Sequence, residues 1–198
     1  KTIVTTETIK TIAERNGVEM YDVYTGFKWI ANVMRENEGK KNYIGGGEES
    51  YGFLCEDFVR DKDAVSACVI LAEIAAWAKD QGLSLYQLLQ KIYVEYGFSK
   101  EKGISVVKKG KSGAEEIEAM MKKFRENPLT EIAGSKVTYF YDYSTLKGKD
   151  YAENETVTLD MPTTSNVLQY FTEDNTKVSI RPSGTEPKIK FYCEVHSK

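Results

Sequence analysis

The hydrophobic pattern changes period near Gly97, and this change most restricts the folds open to the chain. Before it, short β-branched runs alternate with stretches of helical spacing; after it, apolar residues recur mainly at every second position. Periods of 3.6 and of 2 demand different elements and bury different faces. The 198 residues therefore read as two domains, an α/β one over 1–98 and an α+β one over 99–198, with the join near 96–103.

In the first half, "TIVTT" and "VEMYDV" are strand-like, and a short helix over 7–15 stops at Asn16-Gly17. Phe27, Ile30, Ala31 and Met34 share one face of a helix over 25–36, and "NYIGGG" runs from a strand into a glycine loop. Asp63 can cap a helix over 64–79 that is apolar nearly all round and so expected to be buried; Ser84 can cap another over 85–96. Such alternation predicts an α/β layer with a largely parallel sheet.

In the second half, "GISVVKKG" is a strand. Ser112 and Glu115 have capping-box spacing for a helix to Asn127, with Ile117, Met120, Met121 and Phe124 on one face. The strands "KVTYFYDY", "ETVTLDM", "NVLQYF", "KVSI" and "KIKFYCEV" follow, which predicts an antiparallel sheet. The last is two-faced: Ile189, Phe191, Cys193 and Val195 alternate with Lys188, Lys190, Tyr192 and Glu194.

Composition removes several function classes. A net charge of −3 argues against a nucleic-acid partner, which needs a cationic face. The longest apolar run, 64–78, is broken by Glu73 and too short for a bilayer, so no membrane role is expected. Three scattered cysteines form neither a disulfide framework nor a zinc motif, and fit a cytoplasmic protein. His196 is the only histidine, which excludes histidine triads and multi-histidine metal sites in this chain. Proton transfer would fall to Lys, Glu, Asp or Tyr.

Two loops carry more chemistry than a turn requires. In "IRPSGTEPKIKF", Arg181 can grip two phosphate oxygens, Ser183 and Thr185 add hydroxyls, and Gly184 admits close backbone approach. Pro182 and Pro187 stiffen the segment. The stretch is either an anion nest or a rigid, polar hairpin loop; Glu186 counts against the nest unless its side chain points away. In "YIGGGEESYGF", Glu48, Glu49 and Ser50 follow three glycines, and carboxylates there can accept two sugar hydroxyls at once. The other reading is a solvated turn; a glycosidase pair is disfavoured, because neighbours on an extended chain point apart. Lys28 in "YTGFKWI" falls in the first turn of a helix, where the dipole slightly disfavours a cation, although a surface lysine is the ordinary reading. "FVRDKD" reads as a charged helix cap.

Together these segments resemble the α-D-phosphohexomutases. "GGEESYGF" is similar to their sugar-binding loop and "RPSGTEP" to their phosphate-binding loop. "TGFKWI" and "FVRDKDA" match the flanking segments of the phosphoglucomutase branch. The four motifs lie in the family's order across essentially the whole chain. The resemblance implies domains three and four of a four-domain enzyme. The first would be an α/β layer lacking its opening strand and helix; the second, a TBP-like α+β domain with an antiparallel sheet, lacking its final helix. It implies a hexose 1-phosphate/6-phosphate interconversion through a phosphoserine and a hexose bisphosphate. Arg181, Ser183, Gly184 and Thr185 would hold the non-reacting phosphate, and Glu48, Glu49 and Ser50 the sugar hydroxyls. Lys28 would assist proton transfer or stabilise charge. The nucleophilic serine and the Mg2+ ligands would lie in the N-terminal domains of the same protein, so this part would bind no metal and be inactive alone. Its truncated surfaces would favour self-association. A phosphomannomutase, a phosphopentomutase of the superfamily and a non-catalytic sugar-phosphate module stay open.

Overall fold

In the computed structural model, which describes residues 1–108, 110–184 and 186–197, the chain divides into two units, Lys1–Phe98 and Ser99–Lys198. Capping chemistry sets the helix starts of the first unit. The Thr6 hydroxyl accepts from Thr8 N (3.2 Å) at the start of α1, Glu7–Arg15. Asp63 Oδ2 accepts from Ser66 N (2.7 Å) at α3, Ala64–Asp80. Ser84 and Gln87 form a reciprocal capping box at α4, Leu85–Tyr96. Between them α2, Phe27–Glu36, buries Phe27, Ile30 and Met34 against Val23 and Leu54. Each such side chain contributes about 1.5–3 kcal/mol.

Among the described residues of this unit, parallel pairing is one bridge, Thr2 to Val23, flanked by Ile3 N→Val23 O at 2.8 Å and Val23 N→Lys1 O at 3.0 Å. The two strand-like runs extend no further, since a lone parallel pair lacks the neighbouring strands and covering layers such pairs depend on. An antiparallel hairpin joins β1, Gly45–Gly47, to β2, Phe53–Cys55, with Gly46 opposite Leu54. Helix α3 departs from expectation: it is apolar all round, yet only Ala78 is buried, and Val65, Val69, Leu71 and Trp77 are more than half exposed. Its main neighbours are β2 and α4, which cover little of its circumference.

The second unit runs β3 (Phe98–Val107), α5 (Gly110–Glu126), β4 (Glu131–Ile132), β5 (Ser135–Asp142), β6 (Lys147–Asp150), β7 (Glu155–Thr158), β8 (Leu168–Thr172), β9 (Lys177–Pro182) and β10 (Lys188–Ser197). The sheet order is β3-β10-β9-β8-β5-β6-β7, with β4 beside β5. Helix α5 begins at Gly110, two residues before Ser112, so the expected capping box does not form there. Gly113 packs so closely on Lys108 that a Cβ would lie 2.6 Å from the Lys108 carbonyl carbon. Strand β6 was not legible because "KGKD" has no strand-forming residues. It pairs because Gly148 lets the Tyr141 ring lie across it, and a Cβ there would meet Tyr141 Cδ1 at 2.4 Å.

Ile117 and Met121 of α5 pack on Val137, Leu168, Tyr170, Ile180 and Ile189. The other face of the sheet is polar and yet buried in part. Lys177 Nζ lies 3.0 Å from Glu194 Oε2, both side chains being at most 3% exposed, and His196 Nε2 lies 3.1 Å from Glu194 Oε1. On the same face Tyr143 Oη donates to Gln169 Oε1 (2.7 Å), and Gln169 Nε2 to Ser179 Oγ (2.8 Å). The β9–β10 register sets Arg181 opposite Lys190, Ser179 opposite Tyr192 and Lys177 opposite Glu194.

Candidate functional site

In the first unit the β1–β2 hairpin presents the carboxylates. Glu48 N donates to Gly52 O (2.7 Å), closing a loop in which Tyr51 takes the left-handed conformation, φ 65°. The preceding glycines serve packing. A Cβ on Gly46 would lie 2.6 Å from Tyr43 Oη and 3.0 Å from Ile30 Cγ2, and one on Gly47 would lie 2.9 Å from Gly52 O. Burial pushes the Tyr43 phenol up to about 12, and it donates to Leu54 O at 3.3 Å.

The two carboxylates diverge, as neighbours on an extended chain should. Glu48 Oε1 accepts from Gly26 N (2.7 Å), which ties the loop to the start of α2; Glu49 Oε2 accepts from Thr2 Oγ1 (3.0 Å). Ser50 Oγ donates to Glu49 Oε1 at 3.3 Å and is exposed. Lys28 follows Gly26 by two residues and is exposed, with its ammonium 5.2 Å over the Trp29 ring. Glu48 and Lys28 are thus set at the same helix start. Lys62, from the "FVRDKD" stretch, was missed as more than a cap. Its Cδ and Glu48 Oε2 both border Gly52, and its Nζ lies 5.9 Å over the Phe27 ring. Its position depends on the hairpin fold, which no local pattern announces.

In the second unit the β9–β10 connection is held by Ser183 N→Lys188 O (2.8 Å), Lys188 N→Glu186 O (2.7 Å) and Glu186 N→Ser183 Oγ (3.3 Å). Lys108 N donates to Pro187 O at 2.8 Å and fixes the loop to the segment before α5. Arg181 Nε is buried with no hydrogen-bond partner among the described residues, and Nη2 makes one long contact, 3.4 Å to Tyr192 Oη. A buried guanidinium donor without an acceptor is costly, and such positions are commonly completed by a ligand or water. Glu186 is ion-paired with Lys188; that bond, with Lys190 nearby, holds its carboxyl below the usual carboxylate range. Its charge is therefore met by a lysine. Gly184 is exposed, with open space where a side chain would stand. Thr185 lies outside the described residues. Lys190 was also missed. The sequence marks it only as one of an alternating polar set, whereas the register places it opposite Arg181, two cations on one face.

Among the described residues no group of three His, Cys, Asp or Glu side chains is placed to hold a metal ion. No helix among them is long and apolar enough to cross a membrane.

Residues 1–96 match the family model for phosphoglucomutase/phosphomannomutase, alpha/beta/alpha domain III, and residues 105–198 the model for its C-terminal domain. The chain belongs to the phosphoglucomutase/phosphomannomutase family. It is 37% identical to a phosphoglucomutase of Staphylococcus haemolyticus (strain JCSC1435) over 196 residues, which is 99% of this chain and 35% of that protein. It is 40% identical over 195 residues to a phosphoglucomutase of Staphylococcus aureus (strain bovine RF122 / ET3-1), again 35% of the relative. The open form of the exocytosis-sensitive phosphoprotein pp63/parafusin, a phosphoglucomutase from Paramecium, shares the fold, with TM-score 0.63 at 19% identity over 99% of this chain and 32% of that one. The chain thus spans about a third of the length of the relatives it matches. The α/β unit followed by an α+β unit with a mainly antiparallel sheet is the family's domain III and C-terminal fold.

Proposed function

We propose that this chain is the substrate-recognising part of a phosphoglucomutase-type enzyme that interconverts hexose 1-phosphate and hexose 6-phosphate. One phosphoryl group passes from an enzyme phosphoserine to a free sugar hydroxyl. The P–O bond to serine breaks, a P–O bond to the sugar forms, and the hydroxyl proton leaves to a base. The bisphosphate turns over, and its other phosphoryl group returns to the serine. Serine and magnesium would be supplied outside this chain, which alone would not turn over substrate; the three free cysteines, Cys55, Cys68 and Cys193, suit a cytoplasmic setting.

The observation that carries the reading is Arg181, a half-buried cation whose buried Nε has no acceptor among the described residues, at the base of a loop bearing Ser183 and Gly184. Arg181 would clamp the phosphate that is not reacting, with Ser183 and Thr185 hydroxyls and the backbone at Gly184 completing the nest. Glu48, Glu49 and Ser50 would accept ring hydroxyls. The Glu48 bond to Gly26 N favours the pairing of Glu48 with the α2 start, where Lys28 would offset charge on the transferring group.

The test compares turnover of glucose 1-phosphate, mannose 1-phosphate and ribose 1-phosphate by the intact parent enzyme. Glucose 1-phosphate is expected to be preferred, and Glu48→Gln to lower kcat/KM by about tenfold or more, the loss of one charge-assisted bond. Preference for mannose 1-phosphate or ribose 1-phosphate would transfer the reading to a phosphomannomutase or phosphopentomutase. No turnover of any would favour a sugar-phosphate binding module.

A further inference from the structure

On the polar face of the second sheet, Arg181 and Lys190 stand directly opposite each other across β9 and β10. Like charges at such a pair repel, and nothing in strand pairing rewards the arrangement. Tyr192 is the next residue of β10 on that face. Its hydroxyl is 3.4 Å from Arg181 Nη2, and the Lys190 ammonium lies 5.9 Å from the centroid of its ring. One side chain therefore offers an oxygen acceptor to the first cation and an electron-rich ring to the second.

We infer that Tyr192 is a positioning residue that holds the Arg181 guanidinium ready for the sugar phosphate, an inference that rests on the phosphate role proposed for Arg181. The contrast with the other end of the same ladder explains why a phenol serves here. Lys177, two residues before Ser179 on β9, faces Glu194, and that carboxylate pairs with the lysine's charge. A carboxylate at position 192 would do the same to Arg181 and compete with an incoming phosphate. A phenol accepts one N–H without bringing a formal charge, so the guanidinium stays cationic and Nε stays available. An arginine left without this contact would lose rotamer freedom only on binding, which weakens affinity.

The experiment is a double-mutant cycle in the intact parent enzyme, with Tyr192→Phe, Arg181→Ala and the double variant. The readouts are KM and kcat for glucose 1-phosphate and the inhibition constant of inorganic phosphate, with thermal denaturation as a fold control. Tyr192→Phe keeps the ring, and so the Lys190 contact, and removes only the hydroxyl. It is expected to raise KM and the phosphate inhibition constant severalfold with kcat nearly unchanged, and to have no further effect once Arg181 is alanine. If Arg181→Ala weakens both constants while Tyr192→Phe leaves them unchanged, or adds its full effect in the double variant, Tyr192 does not act through Arg181 and the inference is overturned while the phosphate loop stands. If Arg181→Ala itself changes neither constant, the phosphate role of Arg181 fails and the inference falls with it.

Discussion

Lys177 and Glu194 illustrate what a single residue pair does in this fold. Both side chains are almost fully removed from solvent, so their stability depends on each other and on His196, whose bond to Glu194 raises the imidazole above its ordinary value. Lys177→Met would leave the Glu194 carboxylate in a site that water hardly reaches. Denaturant unfolding of the chain should show a loss of about 3–5 kcal/mol, since removing one partner of a buried pair is far worse than never having built it. A loss below about 1 kcal/mol would mean that Glu194 is neutral or solvated. The alternation in "KIKFYCEV" was enough to place Lys190, Tyr192 and Glu194 on one face of β10. It did not show that Glu194 is buried or that Arg181 faces Lys190, because both depend on the register with β9. The roles of Glu48 and Glu49 were equally half-legible. Their divergence follows from chain geometry, whereas their partners Gly26 and Thr2 are 22 and 47 residues away.

At the scale of elements, helix ends were legible where a side chain makes the cap, as at Asp63 and Ser84, and illegible where tertiary packing decides, as at Gly110. Strands β2 and β6 are too short to leave a pattern, and β6 forms through a glycine beneath an aromatic ring. Helix α3 has the composition of a buried helix and the exposure of a surface one. Val65, Val69, Leu71 and Trp77 on α3, with Tyr86 and Val94 on α4, are exposed apolar side chains of the kind that drive association. Sedimentation of the 198-residue chain should therefore show mass rising with concentration, and Val69→Glu with Leu71→Glu should return it toward the monomer. A monomer at every concentration would mean that α3 finds cover within its own chain.

For the molecule as a whole, the family assignment rests on two adjoining domain matches that together run from residue 1 to 198, with a short gap between them. The change of hydrophobic period near Gly97 was visible because each unit has its own core: Val23, Phe27, Ile30, Met34 and Leu54 in one, the α5 face on the sheet in the other. The chemistry follows the same division. The carboxylate hairpin belongs to the first unit and the cationic loop to the second. The central claim is that the second unit clamps phosphate through Arg181, and the most direct measurement is the KM of the intact parent enzyme for glucose 1-phosphate with and without Arg181→Ala. Loss of a charge-assisted clamp of about 1.5–3 kcal/mol predicts a rise in KM of about 10- to 150-fold, with kcat much less affected. An unchanged KM would contradict the account and leave the loop a stiff hairpin.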